Sequence, residues 1–425
     1  NSNVVLGYNA LSSDTKGDRS VAIGMAALTA QNFTTTTDTY NTAVGYAAGA
    51  GVTTGIQNTF VGGTTGQATT DADYNVAMGY GALYTNTLGS KSTAIGVSAL
   101  QNQNFTTATD SFNTAVGYTA GLAITTGTSN TIIGAEAGNN ITTGGGNFAA
   151  GYGSLTNETK GNSSIAIGSL ALLSQNFTTS TNAYNVAIGE QAGRNITTGT
   201  NNTLIGALAG DAITDADGNI AVGSLALSAN TVGSSSVAIG YGALATQNPA
   251  TATTMYNTAV GASAGTAVTT GIQNTIIGGL AGDALTTGQE NVIVGYDAGG
   301  SLTDSDSNVA VGKAALSSDT LGAESVAIGK GALGVQNFTT ATNTNNTAVG
   351  HLAGAAVTVG VNNVLIGSFT GDALTDADHN TAVGRAALSA ETLGSKSTAL
   401  GFQALAQQNF TTATDTHNTA VGFNA

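Results

Sequence analysis

The sequence contains no cysteine and no tryptophan, a single proline (Pro249), and charged residues at only 8% of its 425 positions. Each shortage excludes something. Without cysteine there is no disulfide and no thiolate-held metal. Nine Lys and Arg against 24 Asp and Glu leave a net charge of −15, so the chain lacks the basic surface that holds nucleic acid or anionic membranes. Aromatic residues at 5% and one proline argue against two or three ordinary globular domains. No apolar run is long enough to cross a bilayer and no signal peptide is recognisable. The chain starts and stops inside a repeat, at "NSNVVLG" and "NTAVGFNA", as a segment of a longer protein would.

What is abundant is glycine, 60 residues, with Thr, Asn, Ala and Ser. That mixture suits disorder, but a disordered chain does not hold apolar residues at fixed spacing. The glycine closing phrases such as "VAIG", "TAVG" and "TIIG" falls at Gly7, Gly24, Gly45, Gly62, Gly79, Gly96 and on to Gly422, 24 times. Successive spacings are 17 or 21 residues and nothing else. The usual order is three of 17 and one of 21, a 72-residue super-repeat, with one extra 17-residue coil at 292–308.

Each coil is numbered here from the residue after its leading Asn or Ser, so that Val21 is position 1 and Gly24 position 4. Positions 1 to 3 are a short β-rich run closed by glycine, which predicts a strand. Position 7 is Ala, Ser or Thr. Position 8 is Leu (Leu83, Leu100) or Gly (Gly49, Gly66), and where it is Gly, position 11 supplies the bulk (Val52, Ile124, Leu285). The leading residue is Asn in 18 coils and Ser in 6, and a column of asparagines predicts a ladder of side-chain amides bonded between rungs. Position 12 is Thr in every 17-residue coil; position 14 is mostly Gly, read as a turn at positive φ. The expected fold is all-β: one continuous parallel β-solenoid (β-roll) over residues 1–425. Its roughly 24 coils, stacked at ~4.8 Å, would span roughly 110 Å.

Position 2 bears on assembly. With positions 1 and 3 lining the coil, position 2 would face outward, yet it is apolar throughout: 17 Ala, with Val5, Phe60, Ile132, Leu204, Ile276, Ile293 and Leu365. An apolar stripe of that length predicts several chains packed side by side through position 2. The alternative is a strand buried on both faces within one chain.

The phrases "NTAVG", "NVAIG" and "SVAIG", each followed by a small-residue turn and Ala-Leu or Ala-Gly, resemble the head repeats of trimeric autotransporter adhesins (YadA-like, Hep/Hag). They are also similar to repeats of phage and giant-virus tail fibres. The resemblance implies a left-handed β-roll in a parallel homotrimer, an extracellular, cell-surface or virion-surface fibre that binds a cell-surface receptor or glycan. The longer coils and regular four-residue insertions depart from that family.

Candidate chemistry is sparse. The inserted loops (31–41, 101–113, 174–185, 246–257, 335–346 and 407–418) are expected to protrude, with Thr, Asn and aromatic residues to bond and stack against sugars. Five carry the glycosylation sequon Asn-Phe-Thr, at Asn32, Asn104, Asn176, Asn337 and Asn409. Four coils end in Asp-x-Asp-x-Asn: Asp71/Asp73, Asp215/Asp217, Asp304/Asp306 and Asp376/Asp378. This pattern resembles the opening of a calcium loop, without its later acidic ligand; a turn variant explains it equally. No other cofactor is expected. His351, His379 and His417 share no spacing, and no nucleophile-base set or phosphate loop emerges, so no enzymatic activity is expected. The threonine column at position 12 raises a third class, an ice-binding face.

Overall fold

The computed structural model describes residues 2–425 and is an all-β parallel solenoid of about 25 turns on rungs of about 17 residues. The chain divides into two compact units, Asn1–Asp215 and Ala216–Ala425. In the first, strands Val4–Leu6, Val21–Ile23 and Thr42–Val44 begin a parallel series in register, Val5 opposite Ala22 and Ala22 opposite Ala43. The second repeats the pattern from Ile220–Val222 to Thr419–Val421.

Corners follow from glycine and from left-handed residues. Position 4 adopts φ near +135°, as at Gly62 and Gly134 (+129°), where an added Cβ would lie 2.8 Å from Gly79 O and 2.6 Å from Gly151 O on the next rung. Positions 6, 8 and 16 are also left-handed but in many coils carry ordinary side chains, as at Ala26 (φ 59°), Leu28 (φ 50°) and Arg19 (φ 63°). Each such residue costs about 1 kcal/mol, offset by hydrogen bonds between rungs such as Ala26 N to Tyr8 O (2.9 Å) and Leu28 N to Ala48 O (3.1 Å). Position 14 is not left-handed, contrary to expectation. Glycine stands there because a Cβ on Gly55 would run into Ala72 O.

The strands face the opposite way from the expectation. Position 2 is the inward side chain: Ala22, Ala43, Ala238, Ala259, Phe60, Ile132 and Leu204 are fully buried. Positions 1 and 3 face out, with Ile239 at 38% and Met78 at 46% exposed. The interior is thin and already holds a leucine at position 8 (Leu28, Leu83, Leu100) or an apolar residue at position 11 (Val52, Ile124, Leu285), so position 2 is usually alanine. A large residue appears at position 2 where glycines at position 8 make room. Phe60 packs over Gly49 and Gly66, and Leu204 over Gly193 and Gly210.

The asparagine column bonds chiefly through the main chain. Asn58 N donates to Asn41 Oδ1 (2.9 Å), and Asn58 Nδ2 donates to Ala72 O (2.8 Å) near the end of its own coil. The amide-to-amide contact, Asn58 Nδ2 to Asn41 Oδ1, is longer at 3.3 Å.

Candidate functional site

The six 21-residue coils are those led by serine: Ser20, Ser92, Ser164, Ser236, Ser325 and Ser397. Serine is too short to bridge to the next rung, and a glutamine eleven residues on completes the ladder. Gln31 Nε2 donates to Ser20 Oγ (3.0 Å), while its Oε1 accepts from Asn41 Nδ2 (2.9 Å). Gln175 and Gln336 bridge Ser164 to Asn185 and Ser325 to Asn346 in the same way. Beneath each glutamine lies position 11 of the preceding rung: Asp14, Asn86, Glu158, Asn230, Asp319 or Glu391. Glu158 is fully buried. Its Oε1 accepts from the main-chain N–H groups of Thr159 (2.8 Å), Lys160 (3.0 Å), Gly161 (2.6 Å) and Phe177 (3.2 Å), and its Oε2 from Gln175 Nε2 (2.8 Å). A buried carboxylate is tolerable here because five donors converge on it. The sequence reading missed this network; the signal was the strict coincidence of leading serine, glutamine and the longer coil.

The loops protrude less than expected. Thr37–Asp38 pairs in parallel with Gly17–Asp18 of the preceding rung, and the other five loops pair likewise. The sequon phenylalanines Phe33, Phe105, Phe177 and Phe338 are buried, so they present no ring to a sugar. In the fourth loop Pro249 takes the phenylalanine's place and Met255, fully buried, fills the remaining volume. Fully exposed tips shrink to three small residues, such as 34–36. Side chains tie loop to rung: Lys91–Asp110 and Lys396–Asp415 at 2.5 Å, Arg19–Asp38 at 3.0 Å, and Asn343 Nδ2 donating to Glu324 Oε1 at 2.8 Å. Tyr40, Phe112, Tyr184 and Tyr256 are the aromatics the loops expose. The five sequon asparagines are not buried, each accepting from a position-12 threonine hydroxyl: Asn32 from Thr15 (3.2 Å), Asn104 from Thr87 (2.7 Å), Asn176 from Thr159 (2.8 Å), Asn337 from Thr320 (3.0 Å) and Asn409 from Thr392 (2.9 Å).

In the Asp-x-Asp coils the two aspartates diverge in role. The second accepts a main-chain N–H from the preceding rung: Asp73 from Ile56 (2.8 Å), Asp306 from Gln289 (2.9 Å), Asp378 from Val361 (2.8 Å). The first is exposed; Asp71 accepts from Thr54 Oγ1 (2.6 Å), Asp304 from Thr287 Oγ1 and Asp215 from Thr214 Oγ1 (3.2 Å), while Asp217 N donates to Ser234 Oγ (3.0 Å). Asp376 is exposed as well. Partial burial pushes the Asp73 carboxyl up, Ile56 N–H opposes this, and the charges of Asp71 and Asp110 add to it. Among the described residues no three His, Asp or Glu side chains gather as a metal site. Apart from Thr214–Asp215, these hydrogen bonds join one rung to its neighbour 17 residues away.

His379 and His417 do share a place, each immediately before the asparagine that leads the next coil, with Lys396 at the equivalent place on the rung between. The Lys396 hydrogen bond first, then its charge and those of both histidines, hold the Asp415 carboxyl below its ordinary value. His351 stands edge-on to Phe369, ring centroids 5.2 Å apart. Position-12 threonines between 17-residue coils donate to the next rung's carbonyl, Thr53 to Thr70 O (3.2 Å) and Thr286 to Thr303 O (3.0 Å), so these hydroxyls are engaged between rungs.

The outer face of the strands carries no charge. In both units positions 1 and 3 hold only Val, Ile, Leu, Met, Phe, Ala and Thr, and many are exposed, among them Val76, Ile95, Ile133, Ile205, Ile277 and Ile366. Compared with known protein families, curated proteins and solved structures, the chain finds no match. No helix among the described residues is long and apolar enough to cross a membrane.

Proposed function

We propose that the chain is a segment of an extracellular structural fibre or adhesin, a parallel homotrimer of stacked coils that presents its inserted loops for surface attachment. The supporting observation is the uncharged outer strand face. Parallel sheets are normally covered on both faces, and soluble monomers rarely expose apolar patches beyond a few hundred Å². Burial of positions 1 and 3 against neighbouring copies removes that surface from water, and the resemblance to trimeric adhesin heads supplies the number three and the left hand. Repeated loops then give avidity that no single loop has. Light scattering tests the assembly: the expected mass is three times the 41.4 kDa of one chain, and a soluble monomer of native sequence overturns it.

The small, threonine-rich loop tips favour a second reading, a virion tail-fibre shaft acting as a spacer. Trimming all six loops to the 17-residue form separates the two. Loss of attachment supports the adhesin; unchanged attachment supports the spacer.

A further inference from the structure

In the C-terminal unit the residue just past the corner glycine, position 5, forms a column of its own. Strand pairing in register carries it from rung to rung, Val309 opposite Val326, Val326 opposite Thr347, Val364 opposite Thr381. Its carbonyls accept the next rung's N–H: Gly331 N to Lys313 O (3.0 Å), Leu352 N to Lys330 O (3.0 Å), Gln403 N to Arg385 O (3.0 Å). Along this column stand Tyr296, Lys313, Lys330, His351, Arg385 and Phe402, with Ser368 between the histidine and the arginine.

Three of the nine Lys and Arg of an acidic chain therefore lie on one line, all exposed. The cations seen in ion pairs among the described residues, Arg19, Lys91 and Lys396, lie instead at position 16. What the column offers its cations is aromatic. Lys313 Nζ sits 5.7 Å from the Tyr296 ring centre and the Arg385 guanidinium 5.8 Å from that of Phe402. Asp297, which follows Tyr296, is the only acidic residue adjacent in sequence to the column positions from Tyr296 to Phe402.

We propose that this column binds an extended acidic polysaccharide of the polyuronate class. Lys313, Lys330 and His351 occupy successive rungs about 4.8 Å apart, and Arg385 stands two rungs beyond. A hexuronate chain carries one carboxylate per ring at a comparable repeat, so a strand laid along the column meets Lys313 and Lys330 at successive sugars and Arg385 three sugars on. Tyr296 adds an exposed aromatic ring at one end of the column; at the other end Phe402 is stacked on Phe423, ring centroids 5.0 Å apart. Nucleic acid fits less well: a duplex carries a charge every ~1.7 Å, far closer than the ~4.8 Å between rungs. The column lies past the corner glycine, off the strand face assigned to the trimer, so the inference stands without that reading.

Binding of fluorescent polygalacturonate oligomers to the full chain tests it, with neutral dextran and single-stranded DNA of matched length as competitors. The expected result is polygalacturonate binding that weakens as salt rises, and a loss of about tenfold or more in the triple variant Lys313→Ser, Lys330→Ser, Arg385→Ser. The triple variant Arg19→Ser, Lys91→Ser, Lys396→Ser removes the same net charge and should bind as wild type. No binding by wild type, equal loss in both variants, or competition by dextran or DNA as strong as by unlabelled polygalacturonate overturns the proposal.

Discussion

A Cβ added to Gly66 would stand 2.5 Å from Cδ1 and 2.8 Å from Cζ of Phe60, so glycine and ring fill one space between them. The backbone there tolerates a side chain, since Leu28 and Leu83 occupy the same coil position at φ 50° and 54°. Steric overlap with the ring therefore adds to the cost of about 1 kcal/mol that a side chain meets in this backbone conformation. Gly66→Ala should destabilise by about 1–3 kcal/mol and Phe60→Ala by about 3–5 kcal/mol. The double variant should be clearly more stable than the sum predicts. Additive losses in thermal or urea unfolding would show that the two do not share the space.

Neighbouring residues on one strand should respond oppositely to charge. Ala238 is fully buried and Ile239 is 38% exposed. Ala238→Glu places an unpaired charge inside the coil and should abolish cooperative folding. Ile239→Glu, combined with Ile205→Glu, should leave the circular dichroism spectrum of the coil intact and lower the mass seen by light scattering. A folded Ala238→Glu variant would contradict the inward orientation.

The period was legible from the corner glycine at position 4 and the leading asparagine because both are demanded by contacts that a Cβ or a missing amide would break. The direction of the strand was not. Both strand faces are apolar, and Val or Ile at positions 1 and 3 reads as more interior than Ala22 or Ala43 at position 2. Only the room left by Leu28 or Val52 decides it, and volume is a property of the closed coil. The loops were misjudged for a related reason: Phe105 reads as a display residue until Gly89 of the preceding rung is seen beside it, where a Cβ would lie 2.7 Å from the ring. At the candidate binding column, Lys313, Lys330 and Arg385 lie 17 and 55 residues apart in sequence and align only once the coils are stacked.

The carboxylate under Gln175 should be costly to remove. Glu158→Ala leaves four main-chain N–H groups and an amide without their acceptor, at about 1–3 kcal/mol for each that stays buried. A loss of at least about 3 kcal/mol is expected on that scale. Glu158→Asn should cost much less, since Asn86 and Asn230 hold this position under their own glutamines. Equal losses in urea unfolding for the two variants would refute the acceptor role.

Stability should rise as pH falls from neutral toward about 4. Burial, the leading cause, raises the carboxyls of Asp73, Asp211, Asp283 and Asp372, with main-chain N–H groups opposing. A carboxyl with a raised folded pKa destabilises the fold while charged, and that cost disappears as pH drops toward the unfolded value near about 3.9. Asp415, held low, acts in the opposite sense and at lower pH. Asp211→Asn, Asp283→Asn and Asp372→Asn together should raise the melting temperature at about pH 7 and flatten its rise toward about pH 4.5; Asn139 occupies the same position in its own coil. A slope unchanged in the variant would place the pH dependence elsewhere.

Excess chelator should leave the melting curve unchanged, because Asp73, Asp306 and Asp378 already accept main-chain N–H groups. A drop of several degrees restored by calcium would instead make the Asp-x-Asp turns cation sites.

The serine-led rungs also solve a problem of counting. Coils this alike could stack one rung out of step and lose almost nothing, since every Asn-led rung offers the same donors and acceptors to its neighbour. A serine-led rung does not. Displaced by one turn, Gln31 would keep Ser20, which leads its own coil, but would find no carboxylate of Asp14 beneath it. A misthreaded chain therefore strands buried amides at each serine-led rung, and the shortest slip that satisfies them is a whole super-repeat rather than a single coil. The extra coil at 292–308 breaks even that coincidence, so the sequence carries graduation marks that let a nearly periodic molecule know where along itself it is.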